Sequence, residues 1–248
     1  MSGPSWYSDL RSAIEFLTPL GHATRQPSSA AMAWFPLTGA LIGAAEGTFF
    51  RLATSRLDPL AAAVATTAFD AVLTGGLHLD GLADTADGCL AHVPTRQRLA
   101  IMAGPELGAF GTTTLSLALL LRAAALSSCP PSVGLFTALC GASRSLMVAS
   151  TRLVPYARDH GIVTPFLSGA PTTGTILSSA AAGIGGAAVL AAATNGRRGG
   201  FAVLAGVAAG AAVLAGARHR LAGYTGDVLG AAGVVCETVG LLAATRRR

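Results

Sequence analysis

The 248-residue chain is 52% hydrophobic and only 12% charged, against about 25% charged residues in an ordinary soluble domain. With a mean hydropathy of +0.57, this composition excludes a water-soluble globule and fits helices immersed in lipid. The net charge of +5 comes from basic residues that are all arginine. It suits loops beside anionic lipid or phosphate-bearing substrates, and the lack of any basic-aromatic block argues against nucleic acid as a partner.

The opening stretch MSGPSWYSDLRSAIEF has acids and aromatics where a secretory signal would have a basic start and an apolar core, so no cleaved targeting segment is expected. Apolar stretches near the length of about 20 residues needed to cross a bilayer follow at roughly 33–52, 59–78, 108–128, 131–151, 176–194, 200–217 and 227–244. They predict an all-α, polytopic membrane bundle of about seven transmembrane helices, with six the nearest alternative. No repeat or appended soluble segment interrupts the pattern, so residues 1–248 read as a single membrane-embedded domain. Pro36, Pro59, Pro130, Pro131, Pro155 and Pro165 fall at or near span ends, where a missing amide costs least. Gly39, Gly43 and Gly47 recur at every fourth position, as closely packed helices require. Cys89, Cys129, Cys140 and Cys236 are widely separated and read as small buried hydrophobes.

Three polar connections, 79–107, 152–175 and 218–226, share one face with the N-terminus if all seven segments cross. Arginines divide almost evenly between the two faces, so the positive-inside rule gives no orientation. The chemistry of the connections gives one.

The first connection begins in GGLHLDGLADTADG, residues 75–88. On a helix, Asp80, Asp84 and Asp87 fall on a single stripe. Like charges at such spacing destabilise a helix by a few tenths of a kcal/mol per pair, a penalty that a divalent cation removes. Hard carboxylate oxygens suit Mg2+, which binds through one or two carboxylates plus substrate phosphates. Gly75 and Gly76 permit a sharp turn or the close approach of backbone amides to a phosphate. His78 reads either as a substrate contact or as a hydrogen-bonded structural residue.

A metal site at a membrane face suggests transfer chemistry on a diphosphate, with arginines completing it. Arg144 lies in an otherwise apolar span, GASRSLMVAS, and needs a partner or a role, because a charge there costs about 2.5 to 3.5 kcal/mol on insertion scales. Arg122 poses the same question. Arg152 and Arg158 in TRLVPYARDHG are suited to bidentate phosphate contact or to interfacial anchoring. The third connection leads into AGYTGDVLGAAG, where Thr225, Gly226 and Asp227 open a span. Asp227 reads as a helix cap or as a further member of the aspartate cluster. Glu237, inside the same span, is a possible metal ligand or an ionic partner for Arg144 or Arg122, and Asp70 is a weaker case of the same kind.

These motifs together, TGGLHLDGLADTADG, then IM with GAFG, then SR, PYAR and GYTGDVLGA, resemble the cobalamin synthase family of adenosylcobinamide-GDP ribazoletransferases. The ordered matches run from about residue 34 to 242. The resemblance implies an integral, multi-pass membrane enzyme, and its site is expected to face the cytoplasm from the inner membrane, where GMP and magnesium are available. It implies that α-ribazole or its 5'-phosphate attacks adenosylcobinamide-GDP, GMP leaves, and adenosylcobalamin or its phosphate forms with Mg2+ as cofactor. Asp80, Asp84 and Asp87 match the family's acidic motif, Asp227 its second motif, and Arg144 and Arg158 its basic positions. One departure is IMAGPELGAFG, with Ala103, Gly104 and Glu106 where the family usually has a basic residue and an aspartate. Another lies at EFLTPLGHATRQP, where Arg25 is the candidate substitute for a missing Thr-Arg-x-Pro run.

Two other readings compete. A CDP-alcohol phosphatidyltransferase would also place aspartates and glycines at a membrane face, but Ala83 is followed here by Asp84 where that pattern has an arginine. An ion-coupled transporter would use Asp70, Arg144 and Glu237 and leave the crowded aspartates without a task.

Overall fold

The computed structural model describes residues 5–21, 29–161, 163–167 and 172–245. Arg25 lies outside the described residues. Within them the regular structure is helical, with a single isolated β-bridge between Tyr156 and Tyr224. Helix α1 (Ser5–Leu17) and a 3-10 helix (Ser29–Trp34) precede α2 (Phe35–Thr54), α3 (Pro59–Leu73), α4 (Leu77–Leu90), α5 (Thr95–Ile101) and α6 (Ala109–Ser127). Then come α7 (Val133–Leu153), the short α8 (Thr164–Leu167), α9 (Thr173–Leu221) and α10 (Gly226–Ala244).

The protein is a polytopic helical membrane protein. By length and apolar composition α6, α7, α9 and α10 each suffice to cross a membrane, and the bent pair α3 and α4 adds a fifth crossing if it counts as one. Helix α9 is in fact two helices. Gly196 has non-helical backbone (φ 66, ψ −168), and Gly199 and Gly200 pack against the carbonyls of Ala191 and Ala188. In a straight helix those groups would lie at least about 12 Å apart. The chain therefore doubles back, and 173–195 and 197–221 are each long enough to span. This matches the two apolar stretches read there from the sequence.

Two segments differ from expectation. Helix α2, over the expected span 33–52, is not among the helices apolar enough to cross, since Glu46 and Arg51 interrupt it. The stretch 59–78 is not one straight span: α3 stops at Leu73, and the chain turns by 92° into α4. Gly75 (φ 62) and Gly76 (φ 70) make the turn in the left-handed region, which glycine enters without a Cβ clash. At about 22 Å, α3 falls short of a hydrocarbon core of about 30 Å.

Helix α7 is the hub, with nearly every residue from Leu135 to Thr151 buried. Gly39, Gly43 and Gly47 of α2 lie directly against its backbone: a Cβ on Gly39 would come within 2.5 Å of the Cys140 carbonyl oxygen, and one on Gly47 within 2.8 Å of Val133 Cα. Gly206 and Gly210 of α9 meet Cys236 and Ala232 of α10 in the same way. Small residues thus let backbones touch where lipid supplies little apolar driving force. All four cysteines are free thiols, three of them buried and Cys89 half-buried. Pro59 opens α3 behind Asp58, whose carboxylate caps the Leu60 and Ala61 amides.

Candidate active site

The functional side chains gather where three connections meet. The loop after α7 is tied to the loop before α10 by two backbone hydrogen bonds: Ala157 N–H donates to Tyr224 O (2.8 Å) and Tyr224 N–H to Pro155 O (2.9 Å). The two tyrosine rings pack edge to face at 5.3 Å. This clasp sets Arg158 beside the start of α10, where its Nη2 lies 3.1 Å from Asp227 Oδ2. Helix α4 crosses α10 at the same point. A Cβ on Gly81 would sit 2.7 Å from the Asp227 carbonyl oxygen, so only glycine admits so close an approach, and it brings Asp80 and Asp84 beside Asp227.

The aspartates have unequal surroundings. Asp80 is exposed and Asp84 half-buried, and among the described residues neither has an ion pair. Asp84 sits in the combined field of Asp80, Asp227 and Asp87, offset by Arg158. Asp87 is buried, and its oxygens accept from Gly108 N–H and Gly111 N–H, each at 2.8 Å. It closes the first turn of α6, whose own N-cap residue, Gly108, has no side chain to do so. The expected third member of the metal set thus serves as a cap supplied from a neighbouring helix. Asp227 is the reverse case. The cap of α10 falls to Thr225, which accepts from Val228 N–H and donates to Asp227 Oδ2 (3.1 Å), leaving Asp227 free to face Arg158. Thr225 itself is fully buried and does not line the cavity, contrary to its expected place among substrate contacts.

Beside these acids opens a cavity of about 220 Å³. Its lining combines His78, Asp80, Thr151, Arg158, Gly226 and Asp227 with the apolar Phe16, Met32, Phe35, Met147 and Phe166, among others. Two nearby buried polar atoms have no hydrogen-bond partner, Arg152 Nε and the Tyr224 hydroxyl, and the Arg158 guanidinium is held by Asp227 alone. Burial pushes the Tyr224 phenol up to about 12, so it stays protonated and able to donate. Buried donors without partners are uncommon, and two at one junction beside Arg158 are suited to an anion.

Arg144 does not reach the cavity. It is 2% exposed and pairs with Glu237, which also accepts from Ser143 Oγ (2.7 Å) and from Arg122 Nη1 (3.2 Å). Arg122 extends the network to Glu46 (2.6 Å) and Asp70 (3.4 Å). Glu237 is therefore an ionic partner of both arginines and stands apart from the aspartates. The network touches the cavity only through His78, whose Nδ1 is 3.4 Å from Arg144 Nη2. Gly75 and Gly76 form the α3–α4 turn and do not line the cavity.

Sequence reasoning passed over Glu46, although an acid in an apolar run carries the same signal as Glu237. It also passed over Arg98, which donates to the Gly88 and Cys89 carbonyls (3.0 and 2.6 Å) and so closes the end of α4. The apolar cavity wall has no sequence signature, because its residues come from distant helices.

A model of the family described as Cobalamin-5-phosphate synthase matches residues 9–245. The chain belongs to this family. Among its relatives, an adenosylcobinamide-GDP ribazoletransferase of Allorhizobium ampelinum is 35% identical, covering 97% of this chain and 97% of its own length. Those of Leptothrix cholodnii and Citrobacter koseri are 37% and 34% identical over 84% of this chain, covering 81% and 85% of theirs. No solved structure matches. In this member of the cobalamin-5-phosphate synthase family, the altered stretch after Met102 forms an exposed loop that includes Glu106 and returns to α4 at Gly108, against Asp87. The departure thus lies at the far end of the aspartate stripe from the cavity.

Proposed function

We propose that the protein is an adenosylcobinamide-GDP ribazoletransferase, joining ribazole or its 5'-phosphate to adenosylcobinamide-GDP with release of GMP. The observation that carries this reading is the gathering of Asp80, Asp227 and Arg158 from three chain segments at one cavity, with Asp84 in their field and unsatisfied arginine and tyrosine donors beside them. Such an arrangement suits a diphosphate and a nucleophile.

Among the described residues no three ligand side chains close a metal site by themselves, but Asp84 and Asp227 lie in each other's field and are hard-oxygen donors of the kind magnesium takes, one or two at a time, beside substrate phosphates. Asp84 and Asp227 would hold the ion together with diphosphate oxygens, and the bound ion would neutralise charge on the reacting phosphoryl group. Arg158 and Arg152 take phosphate charge and orient the diphosphate. A ribose hydroxyl of the acceptor attacks the phosphorus attached to the cobinamide. A new phosphorus–oxygen bond forms, the bond to GMP breaks, and GMP leaves with the bonding electrons. The hydroxyl proton passes to Asp80, the carboxylate that faces the cavity without an ion pair. The active face is cytoplasmic, on the inner membrane of the cell, where GMP and magnesium are at hand.

Purified protein in detergent, given adenosylcobinamide-GDP, ribazole phosphate and magnesium, should release GMP in step with cobamide formation. Chelation of the metal should stop both. No GMP release from this pair of substrates, or undiminished release without metal, overturns the reading.

A further inference from the structure

We propose that the apolar part of the cavity is the berth for the heteroaromatic base of ribazole, and that Val163 and Met147 help set which base is accepted. This rests on the transferase reading above. Three rings make the wall. Phe166 of α8 meets Phe16 of α1 edge to face at 4.8 Å and Phe35 of α2 at 5.4 Å, while Phe16 and Phe35 stack at 5.6 Å. Met147, Val148 and Val163 continue the apolar lining, Thr151 adds a hydroxyl, and the charged Arg158 and Asp227 are paired with each other.

The reaction offers three bodies that this space would have to sort. A corrin macrocycle with its side chains is too large for about 220 Å³. Guanine is small enough, but against the phenyl, thioether and isopropyl surfaces its carbonyl and amino groups would have only the Thr151 hydroxyl outside the His78, Asp80, Arg158 and Asp227 group, leaving most of them unbonded, the arrangement that folded proteins avoid. Benzimidazole, the base of ribazole, is a flat apolar bicycle with one free ring nitrogen. It suits edge-to-face and thioether contacts. A base seated there places its ribose at the charged side, with a hydroxyl towards Asp80 and a 5'-phosphate within reach of arginine. The corrinoid diphosphate then approaches from outside the cavity. An acyl chain would meet the same apolar wall but would leave the carboxylates and Arg158 without a ligand.

The test fills or enlarges the berth away from the charged groups, with Val163→Phe and Val163→Ala compared by steady-state kinetics of GMP release. In Val163→Phe the KM for ribazole should rise about tenfold or more, as mismatched bulk in an apolar pocket does, with the KM for adenosylcobinamide-GDP unchanged. Val163→Ala should favour acceptors with bulkier bases. A rise in the KM for adenosylcobinamide-GDP instead, or an unchanged KM for ribazole in both variants, overturns the berth and leaves the transferase reading intact. Calorimetric titration of ribazole alone separates the two ideas. If wild-type protein binds ribazole and Val163→Phe does not, the berth stands whether or not GMP is released. Equal binding by both variants removes it.

Discussion

Asp84 and Asp87 stand less than one helical turn apart on α4, yet their surroundings give them different work. Asp87 spends its oxygens on the Gly108 and Gly111 amides, whereas Asp80 and Asp84 have no ion pair among the described residues. Replacing Asp87 by alanine should therefore show first as lost stability of about 1 to 3 kcal/mol, the cost of leaving buried donors unsatisfied, read as a lower unfolding temperature in detergent. Asp80→Asn and Asp84→Asn should keep the wild-type melting temperature and lose transfer, because each removes charge without changing shape. A magnesium titration divides them further: Asp84→Asn should need more metal, while Asp80→Asn should stay slow at any concentration. Wild-type turnover in both at limiting magnesium would refute the assigned roles. The stripe itself was legible from spacing. The division of labour along it was not, because the amides that claim Asp87 belong to another helix.

At the level of helices, two crossings decide whether the site exists. Where α4 meets α10, Gly81 lies against the Asp227 backbone. Gly81→Val must push the helices apart and draw Asp80 and Asp84 away from Asp227. Displacements of about 1 Å cost on the order of a hundredfold in rate, so GMP release should fall by that order while circular dichroism still reports a helical protein. Unchanged turnover would show that the crossing does not govern the site. The second crossing joins α2, α3, α6, α7 and α10 through Glu46, Asp70, Arg122, Arg144 and Glu237. Removing one partner from a buried pair costs about 3 to 5 kcal/mol, because it strands the other charge. Arg122→Met should thus unfold well below wild type. Combining it with Glu46→Met should recover part of the loss, which a double-mutant cycle measures directly. Strict additivity would mean that the two residues do not act as a pair. Asp70, Arg144 and Glu237, the residues a transporter would use for ion coupling, are here engaged in ion pairs, Arg144 with Glu237 and Asp70 with Arg122.

For the whole molecule, the hairpin at Gly196 and the active face lie at opposite ends of the bundle. Residues 197–221 rise about 37 Å between them, more than a hydrocarbon core. Cysteines placed at His92, on the α4–α5 loop, and at Arg197, both exposed, should label from opposite sides in intact cells, in a background whose native cysteines are replaced. With a cytoplasmic active face, Arg197→Cys is the one reached from outside. Outside labelling of His92→Cys alone would reverse the orientation, and labelling of both from one side would contradict the hairpin as a crossing.

Composition and periodicity by themselves determined that this chain is a bundle of membrane helices, because covering a backbone in lipid leaves few alternatives. Local spacing determined the aspartate stripe and the glycine contacts of α2, since each depends on residues within a few turns of one another, whereas the break at Gly75 and Gly76 inside the expected span 59–78 came from the structure. Only the tertiary structure decided that Glu237 and Arg144 are bound to each other in the interior. It also decided that Thr225 caps α10 while Asp227 faces Arg158, and that three phenylalanines from α1, α2 and α8 wall a cavity beside the acids. Those outcomes depend on which helices cross and at what register. Such contacts join residues far apart in the chain, and no pattern along the sequence records them.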